Sequence, residues 1–163
     1  MKKPFELYIL VFLMIFMGVM ALWGGIGLVS KPDGSYFKIP LSDLGNTPFQ
    51  NYLIPGLFLG TSLGILPFLL VYALFVRPRS IIFKKLNLYR DMAWPWTWAV
   101  YYGVLQILWI TIEIMWVGYH SIVQSIVVVW GVATIVVALL PRIRNYYREV
   151  PEHNEQLRGK LIQ

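Results

Sequence analysis

Charged residues are spaced along this chain so as to mark off long apolar runs. Leu7 to Ser30 and Leu44 to Val76 carry no charge, and from Met92 to Pro141, 50 residues, Glu113 alone is charged. A helix crossing the hydrocarbon core needs about 20 apolar residues. Fifty residues would make about 75 Å of helix, more than twice a core of about 30 Å. The third run therefore folds back, and Gly118-Tyr119-His120-Ser121 is its one turn-like place. The pattern predicts four spans near 7–28, 54–76, 94–117 and 121–140. The runs are continuously apolar, without strand-like alternation, which excludes a barrel. The expected fold class is all-α: one integral membrane four-helix bundle with a structured extracytoplasmic lid between helices 1 and 2. Lys2 and Lys3 resemble the basic start of a signal peptide, but the first run is too long and no small-x-small cleavage site follows, so it is read as a retained span.

The connections have their own chemistry. In the lid, 30–53, Lys31-Pro32-Asp33-Gly34 reads as a tight turn. Thr47-Pro48-Phe49-Gln50 reads as a helix start, which predicts a short surface helix over 49–53 before Pro55. The loop 77–93 mixes Ile81, Ile82, Phe83, Leu86 and Tyr89 with basic residues and runs into Trp94, Trp96 and Trp98, as suits an interfacial amphipathic turn. The tail, 141–163, is polar and predicts a helical extension that frays.

Composition agrees with a chain built for lipid. Of 163 residues, 58% are hydrophobic and 13% charged, with a mean hydropathy of +0.62. The absence of Cys excludes disulfides and thiolate metal sites, and two His, far apart, leave no metal site or cofactor expected. Of the 14 Lys and Arg, 12 fall on the N-terminus, the second loop and the tail, against two, Lys31 and Lys38, in the lid. This bias predicts a membrane protein with both termini cytoplasmic. It also explains the net charge of +6 by topology, so nucleic acid is not called for.

Glu113 is the foremost candidate for function, because acids inside membranes are rare. It lies about 6 Å below the outer end of its span, on a stripe with Tyr102, Gln106, Trp109 and Trp116. Gln124 sits at a similar depth on the next helix, with His120 in the turn and Asn46, Thr47, Asn51 and Tyr52 expected overhead. The candidate ligand-binding set is Glu113, Gln124, Trp109, Trp116, Gln106, His120, Thr47, Asn51 and Tyr52. Its structural alternative is a shallow Glu that pairs with Gln124 or backbone donors and ties hairpin to lid. Gly56, Gly60 and Gly64 form a small-residue stripe for close helix packing, and Pro67, one turn on, predicts a kink. Intramolecular packing is favoured over a dimer interface.

Ile39-Pro40-Leu41-Ser42-Asp43-Leu44, Thr47-Pro48-Phe49-Gln50-Asn51-Tyr52-Leu53-Ile54-Pro55-Gly56 and the Trp109…Glu113…Gln124 hairpin together resemble a loose group of small uncharacterised four-span bacterial inner-membrane proteins. The resemblance implies the four-helix fold and no activity. The leading functional expectation is a non-enzymatic accessory subunit that packs on a membrane-protein partner, or on a second copy, through the glycine stripe or lid. The alternative is a binder of a small apolar ligand, lipid or quinone, in an outer-leaflet pocket near Glu113. An enzyme on a lipid substrate is weaker, since one carboxyl without a partner is no mechanism.

Overall fold

The computed structural model describes residues 3–148. Its helices are α1 (Phe5–Ser30), α2 (Leu53–Val76), α3 (Ile81–Lys85), α4 (Trp94–Val117), α5 (Ile122–Leu139) and α6 (Pro141–Tyr147). No strand occurs among the described residues. Four of the helices, α1, α2, α4 and α5, are long and apolar enough to cross a membrane. The protein is thus an all-α four-helix bundle whose chain runs up, down, up and down, with the lid at one end and the described terminal segments at the other. The four long helices start and stop within about two residues of the boundaries expected from charge, turn residues and prolines.

Two tight pairs build the bundle: α1 with α2, and α4 with α5. In the first, Gly25 faces Gly60 so closely that a Cβ on Gly25 would lie 2.6 Å from the Gly60 Cα and 2.9 Å from the Gly56 carbonyl oxygen. Gly56 and Gly64 meet Leu28, Val29 and Leu22 of α1. The stripe is therefore used inside the chain. In the second pair, Gly103 and Gly131 bring α4 and α5 together. Across the pairs, the Trp130 indole N–H of α5 donates to the Leu13 carbonyl of α1 at 2.9 Å. Leu7, Leu10, Met14, Leu74, Trp96 and Tyr147 fill the core towards the terminal end.

Pro67 does not simply kink α2. The turn before it, Leu59–Ile65, is π-helical. Proline has no N–H to offer the carbonyl four residues back, and its ring crowds that carbonyl. The widened turn relieves the crowding, and the buried Tyr102 hydroxyl of α4 donates to the freed Leu63 carbonyl at 2.9 Å. At the end of α2, where the last-turn carbonyls lack helical partners, the Tyr147 hydroxyl donates to the Leu74 carbonyl at 2.8 Å.

Two local expectations are corrected. No helix forms over 49–53. Thr47 Oγ1 does accept from the Phe49 N–H at 3.2 Å, but it also donates to the Leu44 carbonyl, and the segment stays a turn. Helix α2 starts at Leu53, whose N–H is capped by Asn51 Oδ1 at 3.0 Å, so Pro55 falls in the first turn, where no donor is needed. Nor does the described part of the tail fray. Pro141 forces Leu140 out of helical geometry (ψ 137) and starts the separate helix α6, which docks with Ile143 and Tyr147 fully buried. The Arg77 guanidinium lies over the Tyr146 and Tyr147 rings at 4.4 and 4.6 Å and donates to the Tyr146 carbonyl. The tail beyond 148, with His153, Arg158 and Lys160, lies outside the described residues.

Gly25→Ala is expected to destabilise the bundle by about 1–3 kcal/mol through backbone overpacking. Gly60→Ala should be nearly neutral, since its Cβ would meet nothing closer than the Gly25 Cα at 3.7 Å. Thermal unfolding of both variants in one detergent checks the order. Tyr147→Phe should cost about 1–3 kcal/mol by orphaning the Leu74 carbonyl; an unchanged melting temperature would contradict that capping role.

Candidate functional site

Between Leu13 and Trp130, α1 and α5 are in contact; towards the lid they part. The gap is a cavity of about 570 Å³. Its walls are Phe16, Met17, Met20 and Ala21 of α1 and Val123, Ile126, Val127 and Trp130 of α5, with Trp109 and Ile110 of α4 behind them. Met20, Val123 and Ile126 are at once wall residues and exposed on the apolar outside of the bundle, so the cavity opens sideways between α1 and α5. Lipid would border that opening.

The lid roofs the cavity with Phe37, Lys38, Ile39, Pro40 and Asp43. Its shape is set by short-range chemistry. Gly34, at φ 79, accepts at its carbonyl from the Ile39 N–H at 3.0 Å, and a Cβ there would strike the Ile39 carbonyl oxygen. Lys38 follows in the same left-handed region, at φ 57, a conformation that costs a side-chain-bearing residue about 1–2 kcal/mol. Tyr52 closes the loop: its N–H donates to the Pro32 carbonyl and its hydroxyl to the Pro40 carbonyl, both at 2.9 Å. Burial holds the Tyr52 phenol above its ordinary pKa, so it stays a donor. Phe37 sits on Gly27 of α1 and meets the Trp23 ring edge-on at 5.2 Å.

A second, smaller chamber of about 150 Å³ lies under the other side of the lid. Leu28, Leu44, Thr47, Phe49, Tyr52 and Trp116 are among its walls. Ile39, Leu59, Trp109, Glu113 and Val117 line both chambers. Glu113 therefore stands where the two spaces adjoin. Phe58 of α2 stacks on Trp109 at 4.8 Å and holds that ring in place.

Glu113 is oriented by Gln124, whose amide is fully engaged. Gln124 Oε1 accepts from the His120 and Ser121 N–H groups at 2.9 and 3.4 Å, while Ser121 Oγ accepts from the Val123 N–H. This is a capping box at the start of α5. With Oε1 committed to those donors, Nε2 must point the other way, and it donates to Glu113 Oε1 at 3.1 Å and to the Gly118 carbonyl at 3.2 Å. One side chain thus caps a helix, closes the hairpin and anchors the acid.

Of the candidate residues, Glu113, Gln124, Trp109 and His120 line the larger chamber. Trp116, Thr47 and Tyr52 line the smaller one, together with Glu113 and Trp109. Asn51 is exposed and spends its side chain on the Leu53 cap. Gln106 lies off both chambers, fully buried against Gly131, with neither amide atom hydrogen-bonded. Helical spacing places it on the Glu113 stripe but does not tell which neighbour covers each turn. The roof residues Phe37, Lys38, Ile39, Pro40 and Asp43 carry no local signal of that role. The Ser121-x-x-Gln124 cap, by contrast, is a readable pattern.

Chemically, the site is an apolar slot with hydrogen-bonding groups gathered at its lid end. Lys38 offers donors, Asp43 and Glu113 offer acceptors, and His120 offers either. Comparison with protein-family models, with curated proteins and with solved structures returns no match.

Gln124→Glu keeps the capping acceptor but sets a second carboxyl against Glu113. It should destabilise the protein at neutral pH by about 1–3 kcal/mol, and Glu113→Gln in the same chain should restore most of the loss. A double-mutant cycle by thermal unfolding checks this; no rescue would mean that the 3.1 Å contact carries little energy.

Proposed function

We propose that this multi-pass membrane protein binds one amphiphilic molecule of the lipid or quinone class, drawn sideways from the outer leaflet of a bacterial inner membrane. The charge bias of the loops supports the orientation with both termini cytoplasmic and the lid outside. The single observation that carries the reading is the laterally open cavity. Its volume of about 570 Å³ falls in the range of about 300–1,000 Å³ of small-molecule sites, which are mostly apolar with a few convergent polar groups. An apolar tail entering between α1 and α5 meets Met, Phe, Val and Trp surface. The polar head then comes to rest beneath the lid, where Glu113 accepts from a hydroxyl or amine, or Lys38 donates to an acceptor. An accessory role through the glycine stripe has less support, since that stripe packs on α1 and a partner would have to use another face.

Native mass spectrometry of protein extracted gently from its own membrane tests the proposal. A reproducible adduct of lipid or quinone mass is expected, with occupancy reduced about tenfold in Val127→Trp, which fills the slot at a cost of roughly 1.4 kcal/mol in binding. Gly60→Ala, remote from the slot opening, should retain the adduct. A bare wild-type chain, or equal occupancy in the filled variant, would remove the proposal.

A further inference from the structure

The end of the bundle opposite the lid carries a second hollow, unconnected with the site under the lid. It measures about 590 Å³ and is enclosed by the loop that follows α3. Lys84, Lys85 and Arg90 line it, with Leu86, Asn87 and Leu88 between them. Asp91, the one acidic residue of the 77–93 segment, is not among the lining residues. The hollow is thus a positive concavity with apolar side chains at its rim.

The loop is built to hold that shape. The Trp94 indole N–H donates to the Pro78 carbonyl at 2.8 Å, and Phe83 stacks on Trp94 at 4.7 Å. The Tyr101 hydroxyl accepts from the Leu88 N–H and donates to the Leu86 carbonyl, both at 3.2 Å. Asn87 Nδ2 donates to the Met92 carbonyl at 2.8 Å, while Asn87 Oδ1 accepts from the Tyr89 N–H. Backbone groups on both sides of the basic residues are therefore tied to the first turns of α4, a membrane-spanning helix.

Alongside the cations, Ile81, Ile82 and Leu88 are 76%, 71% and 80% exposed. They sit between the end of α2 and the start of α4, two helices long and apolar enough to cross a membrane. We propose that this hollow is a binding site for the phosphate of an anionic phospholipid in the leaflet on the terminal side, with Lys85 and Arg90 as principal phosphate contacts and Leu86 and Leu88 against the acyl chains. Leu86 and Leu88 in the wall of the hollow favour a lipid over free phosphate, because a soluble anion brings no acyl chain to cover them. Fixed backbone geometry distinguishes the site from a diffuse basic patch, since the segment that carries the cations need not be ordered at the moment of binding.

The test uses the full chain in nanodiscs of equal phosphatidylglycerol and phosphatidylcholine, released for native mass spectrometry. Retained phosphatidylglycerol should exceed phosphatidylcholine about fivefold, as expected for roughly 1 kcal/mol from basic residues at the surface. Lys85→Gln/Arg90→Gln should bring the ratio to parity, while Lys31→Gln on the lid should leave it unchanged. In a separate measurement on the wild-type chain, photoreactive phosphatidylglycerol should label the 80–92 segment. No enrichment in the wild type, equal enrichment in the double variant, or labelling confined to other segments overturns the proposal. Loss of enrichment on adding millimolar inorganic phosphate at constant ionic strength would overturn the lipid as the ligand and assign the hollow to a soluble anion. None of these outcomes depends on the cavity under the lid.

Discussion

Inside a bilayer, a backbone carbonyl without a donor has no water to turn to, and this bundle contains prolines that create such carbonyls. Pro67 frees Leu63, the end of α2 leaves Leu74 without a helical partner, and Pro141 ends α5 so that Ala138 lacks its onward helical partner. Each is answered by an aromatic donor from another helix: Tyr102, Tyr147 and, at 2.7 Å, the Trp96 indole. These bonds do more than satisfy polar atoms. Each joins segments distant in sequence, so the prolines and their donors pin the crossing points of the helices. In place of a large moment of apolar against polar faces, which a membrane helix lacks, a few directional bonds set which sides meet.

The same constraint explains where the bundle is tight and where it is open. Gly25 on Gly60, and Gly103 beside Gly131, draw each helix pair together along much of its length. Between α1 and α5, Trp130 donates to Leu13 and Phe16 stands against Trp130 at 4.8 Å. Beyond that level α1 and α5 part, with Met17 and Met20 on one wall and Val123, Ile126 and Val127 on the other. The slot is a consequence of this uneven packing. The lid, braced by Gly34, Tyr52 and Phe37, closes its top without filling it.

Gln124 shows how site and fold share parts. Its amide has four hydrogen-bonding positions and all four are taken, two by backbone N–H groups of the turn and α5 start, one by the Gly118 carbonyl and one by Glu113. The pairing of Glu113 with Gln124 in the structural alternative is thus present in the geometry, while no hydrogen bond among the described residues ties Glu113 to the lid. It does not compete with a binding role, because the carboxyl also forms part of the wall of both chambers. A tie that orients an acid towards a cavity is compatible with both.

The number of spans, their ends and the fold class were legible in the chain because they depend on one-dimensional facts: where charge is missing, and how long a helix must be to cross lipid. The pairing of Glu113 with Gln124 was legible too, since a tight hairpin brings two nearby positions to similar depth. The extent of the intramolecular glycine packing, the π-helical turn before Pro67 and the docking of α6 rest on contacts between residues far apart in sequence. So does the roof of Lys38, Ile39 and Asp43. Periodicity places Gln106 beside Glu113, yet tertiary packing buries it away from the cavity, because the helix stripe is wider than the slot it faces. Charge and apolar length determined that this chain is a four-span bundle; which spans touch, and where they leave room, was decided only in three dimensions, by side-chain volume and by carbonyls that needed donors.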